Sequence, residues 1–273
     1  MDRVALDFGF IQIYWYSIFM FLGMLAACII IFSEAKKRNI DEDFLVNLAF
    51  NTIVFGIIGA RLYYVAFNFP YYLNHPLEIL EIWNGGLAIH GGILFGLITL
   101  IIYCKKHHQD IMKILDIVVV GIILGQSIGW WGNFFIGEAY GGITTLEVLQ
   151  KQGIPQFVID GMFIMGEYRQ PTFFYESVWC LFGFIGMLII RFGKYLKKGN
   201  LTAFYLIWYG IIRFIVESLR SDSLMLGSLK MAQIISIIFI ISGITIVIKN
   251  CLPKFKNNLY RENNPSVKRN TYM

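Results

Sequence analysis

Apolar stretches long enough to cross a bilayer recur along the chain, at 14–32, 44–67, 87–103, 114–135, 172–190, 201–216 and 232–248. A hydrocarbon core asks for about 20 predominantly apolar residues per α-helix. Each stretch meets or approaches that length, so the pattern predicts an all-α, polytopic membrane protein with seven transmembrane helices. None of the stretches is uniformly apolar: Gly, Asn, Gln, Arg and Glu interrupt several of them. Polar side chains are costly against lipid and are expected to face the inside of the bundle. A simple anchor has no need of them.

The flanking charges orient the bundle. Of the 23 Lys and Arg residues, 16 follow the first, third, fifth and seventh stretches, including Lys36, Lys37 and Arg38, then Lys105 and Lys106, then Arg191, Lys197 and Lys198. By the positive-inside rule the N-terminus lies outside and the C-terminus in the cytoplasm. Residues 136–171 then form a mixed, glycine-rich outer insert, long enough for a small extracytoplasmic cap. Residues 252–273, rich in Lys, Arg and Asn, read as a mobile basic cytoplasmic tail. The remaining 1–251 read as a single transmembrane domain.

Composition agrees. The 273 residues are 57% hydrophobic and only 15% charged, against about 45–50% and about 25% in soluble domains. A disordered chain and a disulfide scaffold are thereby excluded, and a soluble enzyme is not expected. The net charge of +5 encodes topology and contact with anionic lipid, not binding to nucleic acid. Cys28, Cys104, Cys180 and Cys251 form no CxxC pair and no cluster with His, so they read as small buried apolar residues. Leu25-Ala26-Ala27-Cys28 superficially resembles a lipoprotein cleavage box. The residues before it are acidic rather than basic, and the apolar run continues past Cys28, so cleavage there is not expected.

Four groups of residues near the outer ends of the spans could carry chemistry. The first is Gly85-Gly86-Leu87-Ala88-Ile89-His90-Gly91-Gly92. Its glycines allow close backbone approach, and its His could exchange a proton near neutral pH. Equally, His90 could be an interfacial residue satisfied by backbone. The second runs from Gly129 to Gly141 and includes Asn133 and Glu138, both expensive against lipid. Its glycines alone could be a helix-packing seam. The third places Tyr209, Arg213, Glu217 and Arg220 on one helix face. Arg213 with Glu217 could be a structural ion pair, or the guanidinium could clamp a phosphate. The fourth comprises Trp15-Tyr16, Arg61 with Tyr64, and the stretch from Gln170 to Glu176. Together they suit an outward-facing intramembrane cavity for an anionic lipid headgroup.

These motifs resemble those of the bacterial prolipoprotein diacylglyceryl transferases. The resemblance runs from Tyr16 to about Gln233 and is carried by the Gly129–Gly141 signature, the Gly85–Gly92 stretch and Tyr209–Glu217. It implies transfer of a diacylglyceryl group from phosphatidylglycerol to the lipobox cysteine thiol of a prolipoprotein. A thioether forms and glycerol phosphate leaves. The implied partners are phosphatidylglycerol, prolipoprotein signal peptides with a lipobox Cys, and membrane lipid. The implied location is the bacterial cell membrane. The resemblance makes His90 the candidate base and Arg213 the phosphate clamp, with Tyr209 beside it. Tyr16, Arg61, Asn133, Glu138 and Glu217 would bind substrate, and Gly141 would support the loop. No metal and no organic cofactor is implied.

The chain departs from the family signature G-R-x-G-N-F-x-N-x-E at two positions, where Trp130 stands for Arg and Ile136 for Asn. Positions 130, 133 and 136 lie along one helical stripe. Loss of one preorganised charge donor commonly costs on the order of 10²–10³ in rate. Arg61 or Arg169 could compensate. The alternative is a catalytically impaired paralogue that binds phospholipid or preprotein without turnover.

Overall fold

The structure is a computed structural model and describes residues 3–9, 12–193, 196–221, 223, 225–227, 229–253 and 259–260. The chain opens with a hairpin of β1 (Val4–Asp7) and β2 (Gln12–Tyr14), followed by helices α1 (Trp15–Lys37) and α2 (Glu42–Phe67). A short helix α3 (Phe69–Asn74) and two 3-10 turns, Pro76–Leu80 and Ile82–Asn84, lead into α4 (Ile89–Lys106). After α5 (Ile111–Ile136) comes the insert: β3 (Ile143–Thr144), α6 (Leu146–Lys151), α7 (Gln156–Gly161), β4 (Phe163–Ile164) and β5 (Glu167–Arg169). Helices α8 (Thr172–Ile190) and α9 (Asn200–Leu219), the strands β6 (Met225–Leu226) and β7 (Leu229–Lys230), and α10 (Met231–Cys251) complete it.

Helices α1, α2, α4, α5, α8, α9 and α10 are long and apolar enough to cross a membrane, as the hydrophobic pattern predicts. At 18–26 residues they measure about 27–39 Å, against about 30 Å of hydrocarbon. Large apolar side chains such as Phe50, Phe182 and Ile241 stay exposed on them, as lipid-facing residues should. The contacts within the chain gather into two compact units. One holds the residues up to Glu34 and those from Leu115 onward; the other is Ala35–Ile114.

In the first unit, close approach of helices is made possible by small residues. Gly121, Gly125 and Gly129 recur every fourth residue on α5 and line one stripe. A Cβ on Gly121 would sit 2.6 Å from the Ala27 carbonyl oxygen of α1, and one on Gly125 would sit 3.0 Å from that of Gly23. This is the small-residue packing common between membrane helices. Polar pairs join the other helices. Ser127 of α5 and Ser177 of α8 donate to each other's carbonyls at 2.9 and 2.7 Å. Asp116, fully buried on α5, accepts from the Gly199 N–H (2.6 Å), the Thr202 N–H (2.8 Å) and the Thr202 hydroxyl (2.7 Å). It therefore satisfies the orphan donors at the start of α9, where a negative charge also suits the helix dipole.

The insert folds as a cap with its own core. Strands β3, β5 and β4 lie in that order in an antiparallel sheet. Leu149, Val158, Ile159 and Met162 bury themselves with Phe134 and Phe173 from the ends of α5 and α8. In the second unit, α2 and α4 pack through Gly59 and Gly91: a Cβ on Gly91 would strike the Gly59 carbonyl and the Tyr63 side chain.

Two details differ from expectation. Cys104 and Cys180 are buried, but Cys28 is only partly so and Cys251 is exposed. In the expected mobile tail, residues 254–258 and 261–273 lie outside the described residues. Tyr260 is fully buried, its hydroxyl donating to Glu34 at 3.1 Å and its N–H to the Leu196 carbonyl at 2.8 Å.

Candidate active site

In the first unit the site is centred on Arg213, in the C-terminal half of α9. Its Nη1 contacts the Glu176 carboxylate at 2.8 Å and its Nη2 that of Glu217 at 2.9 Å. Glu217 stands one turn along the same helix and Glu176 comes from α8. Both carboxylates are buried, while Arg213 keeps 18% of its side chain exposed. The guanidinium carbon lies 5.5 Å from the Trp130 ring centroid, a cation–π contact. Thus Trp130, which stands where the signature has Arg, lies against Arg213.

The ion pair foreseen between Arg213 and Glu217 is present, and Glu176 joins it. Sequence spacing links Arg213 to Glu217 through the i, i+4 rule. No such rule links either to Glu176 on another helix, although a carboxylate one turn into an apolar span is itself a signal. Tyr209, one turn before Arg213, stacks on Tyr205 with centroids 5.7 Å apart and planes 4° from parallel. The Tyr205 hydroxyl accepts from Gln126 Nε2 at 3.0 Å. No local spacing marks Gln126 or Tyr205 in advance.

The signature segment has mixed duties. Gly132 accommodates Tyr16, whose ring would lie 2.9 Å from a Cβ placed there. Asn133 is half-buried, with its carbonyl accepting the Glu138 N–H at 3.2 Å; Glu138 is exposed. Gly141 donates to the Gln170 carbonyl at 2.8 Å and bridges to Arg220, and the next residue donates to the Leu219 carbonyl at 3.0 Å. A Cβ on Gly141 would lie 2.9 Å from both Gln170 Cβ and the Leu219 oxygen. This glycine therefore joins the cap to the end of the helix that carries Arg213. Arg169 pairs with Glu167 at 2.9 Å, lies 5.7 Å from the Tyr140 ring, and its buried Nε–H has no acceptor among the described residues.

The second unit holds His90 and Arg61. His90 is half-buried in the first turn of α4, its ring 6.2 Å from that of Tyr63. The glycines after it serve helix packing, not ligand approach: Gly91 abuts Gly59, and Gly92 lies against the Gly56 carbonyl. Arg61 does not stand ready as a headgroup clamp. It is 6% exposed, and its Nε and Nη1 donate to the carbonyls of Ile79, Gly85 and Gly86, each at 2.9 Å, while Nη2 donates to that of Glu78. Four of its five N–H groups thereby hold the connection between α2 and α4 in shape. Outside the spans, the Tyr71 hydroxyl donates to Glu78 at 2.8 Å, and this bond raises the phenol's pKa above its ordinary value.

A family model described as prolipoprotein diacylglyceryl transferase matches residues 3–249. Curated relatives named phosphatidylglycerol–prolipoprotein diacylglyceryl transferase align along nearly their whole length. One from Staphylococcus xylosus is 44% identical, covering 97% of this chain and 95% of its own. One from Staphylococcus haemolyticus is 45% identical, covering 97% and 93%. One from Staphylococcus saprophyticus is 44% identical, covering 94% and 93%.

Proposed function

The chain belongs to the prolipoprotein diacylglyceryl transferase family, and from that premise we propose that it moves a diacylglyceryl group from phosphatidylglycerol to the lipobox cysteine of a prolipoprotein. In this reaction the cysteine sulfur attacks the glyceryl carbon that bears the phosphate ester. A C–S bond forms, the C–O bond breaks, and glycerol phosphate leaves with the bonding electron pair. The thiol proton passes to a base.

The chain's own groups fit the separate demands of that step. His90 is the candidate base, at the outer end of α4 and half-buried. Arg213 is the candidate stabiliser of phosphate charge. Its Nη1 donates to Glu176 at 2.8 Å and its Nη2 lies 2.9 Å from Glu217, so the two carboxylates fix its orientation. Such preorganised charge is the largest single contribution in many enzymes. Tyr16, Asn133, Glu138 and Tyr209 are proposed to position headgroup and peptide. The flanking charges support an outside N-terminus and a cytoplasmic C-terminus, with the protein in the bacterial cell membrane.

The observation that carries the reading is the family match across residues 3–249. The relatives described above are all named as transferases, and nothing among them favours a binding-only member. The decisive experiment is transfer from labelled phosphatidylglycerol to a lipobox peptide by the purified protein, beside the variant Trp130→Arg, Ile136→Asn. Turnover by the unmodified chain is expected. Turnover in the variant alone would refute the reading for this sequence.

A further inference from the structure

The second unit contains a cavity of about 420 Å³ whose lining includes Arg61, Tyr64, Tyr71, Tyr72, Glu78 and Glu81. That volume falls within the range of about 300–1,000 Å³ typical of small-ligand sites. Its chemistry does not suit an anion. The one guanidinium is already engaged by four carbonyl oxygens, and its carbon lies 5.3 Å from the Tyr72 ring and 6.0 Å from that of Tyr64. These rings therefore already hold one cation. Tyr71 stands edge-on to Tyr72, with centroids 5.2 Å apart and planes at 89°, and stacks on His75 with centroids 4.7 Å apart. Two carboxylates complete the lining; Glu78, 40% exposed, accepts from the Tyr71 hydroxyl and lies 3.4 Å from His75 Nδ1. Aromatic faces beside carboxylates are the usual surroundings of a bound ammonium group.

The surroundings indicate where such a group comes from. The connection that walls the cavity exposes Leu77, Leu80 and Trp83 at 80, 73 and 76%. A polar cavity inside such a skirt fits an amphiphile better than a water-borne solute: the head enters while acyl chains cover the leucines and the indole. The geometry points to a binding site for the ammonium headgroup of a membrane lipid, framed by Tyr64, Tyr71 and Tyr72 and faced by Glu78 and Glu81. This inference does not depend on the transferase reading, because its test reads binding alone.

The test titrates the full-length protein in detergent with dihexanoyl phosphatidylethanolamine, dihexanoyl phosphatidylglycerol and free ethanolamine. The ammonium lipid is expected to bind at least about fivefold more tightly than the other two. Glu78→Gln with Glu81→Gln should abolish that preference. Because this pair could disturb the fold, Tyr71 supplies a second arm. Its ring is half exposed, so Tyr71→Leu should fold and weaken the ammonium lipid about fivefold, while Tyr71→Phe keeps the affinity. Equal binding of the two lipids, or no effect of Tyr71→Leu, overturns the site. Ethanolamine binding as tightly as its lipid overturns the assignment to a lipid.

Discussion

Removing the guanidinium of Arg213 should unfold the protein more readily than removing either of its partners, and the losses should not add. Arg213→Gln strands Glu176 and Glu217, which are 0 and 2% exposed. Breaking a buried ion pair by deleting one partner costs roughly 3–5 kcal/mol. Loss of the contact with Trp130 at 5.5 Å adds about 0.5–2 kcal/mol. Glu176→Gln is milder: the amide oxygen can still accept from Nη1, and Glu217 still supplies a counter-charge, so the cost is about 1–2 kcal/mol. In the double variant position 176 no longer carries a charge in need of a partner. Its loss should fall short of the sum by about 2 kcal/mol, or roughly 30-fold in the folding constant. The assay is reversible unfolding of the three variants in mixed micelles. Additivity within about 0.5 kcal/mol, or a native midpoint for Arg213→Gln, would show that the pairing does not organise this helix end.

Three further outcomes follow from the geometry. His90→Ala should lower transfer by roughly 10²–10⁴-fold, the usual contribution of a positioned acid or base; full activity would remove His90 from the reaction. Gly121→Val should separate α1 from α5, since a Cβ there meets the Ala27 oxygen at 2.6 Å, and thermal unfolding should show a loss of about 1–3 kcal/mol. Asp116→Ala should leave the buried start of α9 without its acceptor and cost about 2–4 kcal/mol, with Asp116→Asn in between; the same unfolding measurement ranks them.

Much of the architecture was legible from local pattern. Thr172–Ile190 was bounded to the residue; α1 and α4 start one and two residues later than expected, and six of the spans extend at one end or both, as where Lys36 and Lys37 or Lys105 and Lys106 carry helices past the apolar run. Those side chains can reach water from a helical turn near the interface, so hydropathy alone underestimates length. The i, i+4 pairing of Arg213 with Glu217 was likewise readable. Glu176 stood only at the end of the stretch that opens the fifth span, with no spacing that assigns it a partner, and no local pattern marks Asp116 as the acceptor for the start of α9.

By itself, then, the sequence determined the number of spans, the side on which positive charge collects, and the motifs that mark the family. All three are properties of neighbouring residues or of residues one helical turn apart. The tertiary structure decided what the polar residues are bound to. Arg61 looked like a clamp for lipid and is occupied by carbonyls from Ile79, Gly85 and Gly86. Trp130 looked like a gap in a charged stripe and lies against Arg213. Gly91 and Gly92, which looked like room for a ligand, are points of contact between helices. In hydrocarbon a buried polar group must find its partner within the protein, and which partner it finds depends on how closely two helices approach. No local period along the chain records that approach.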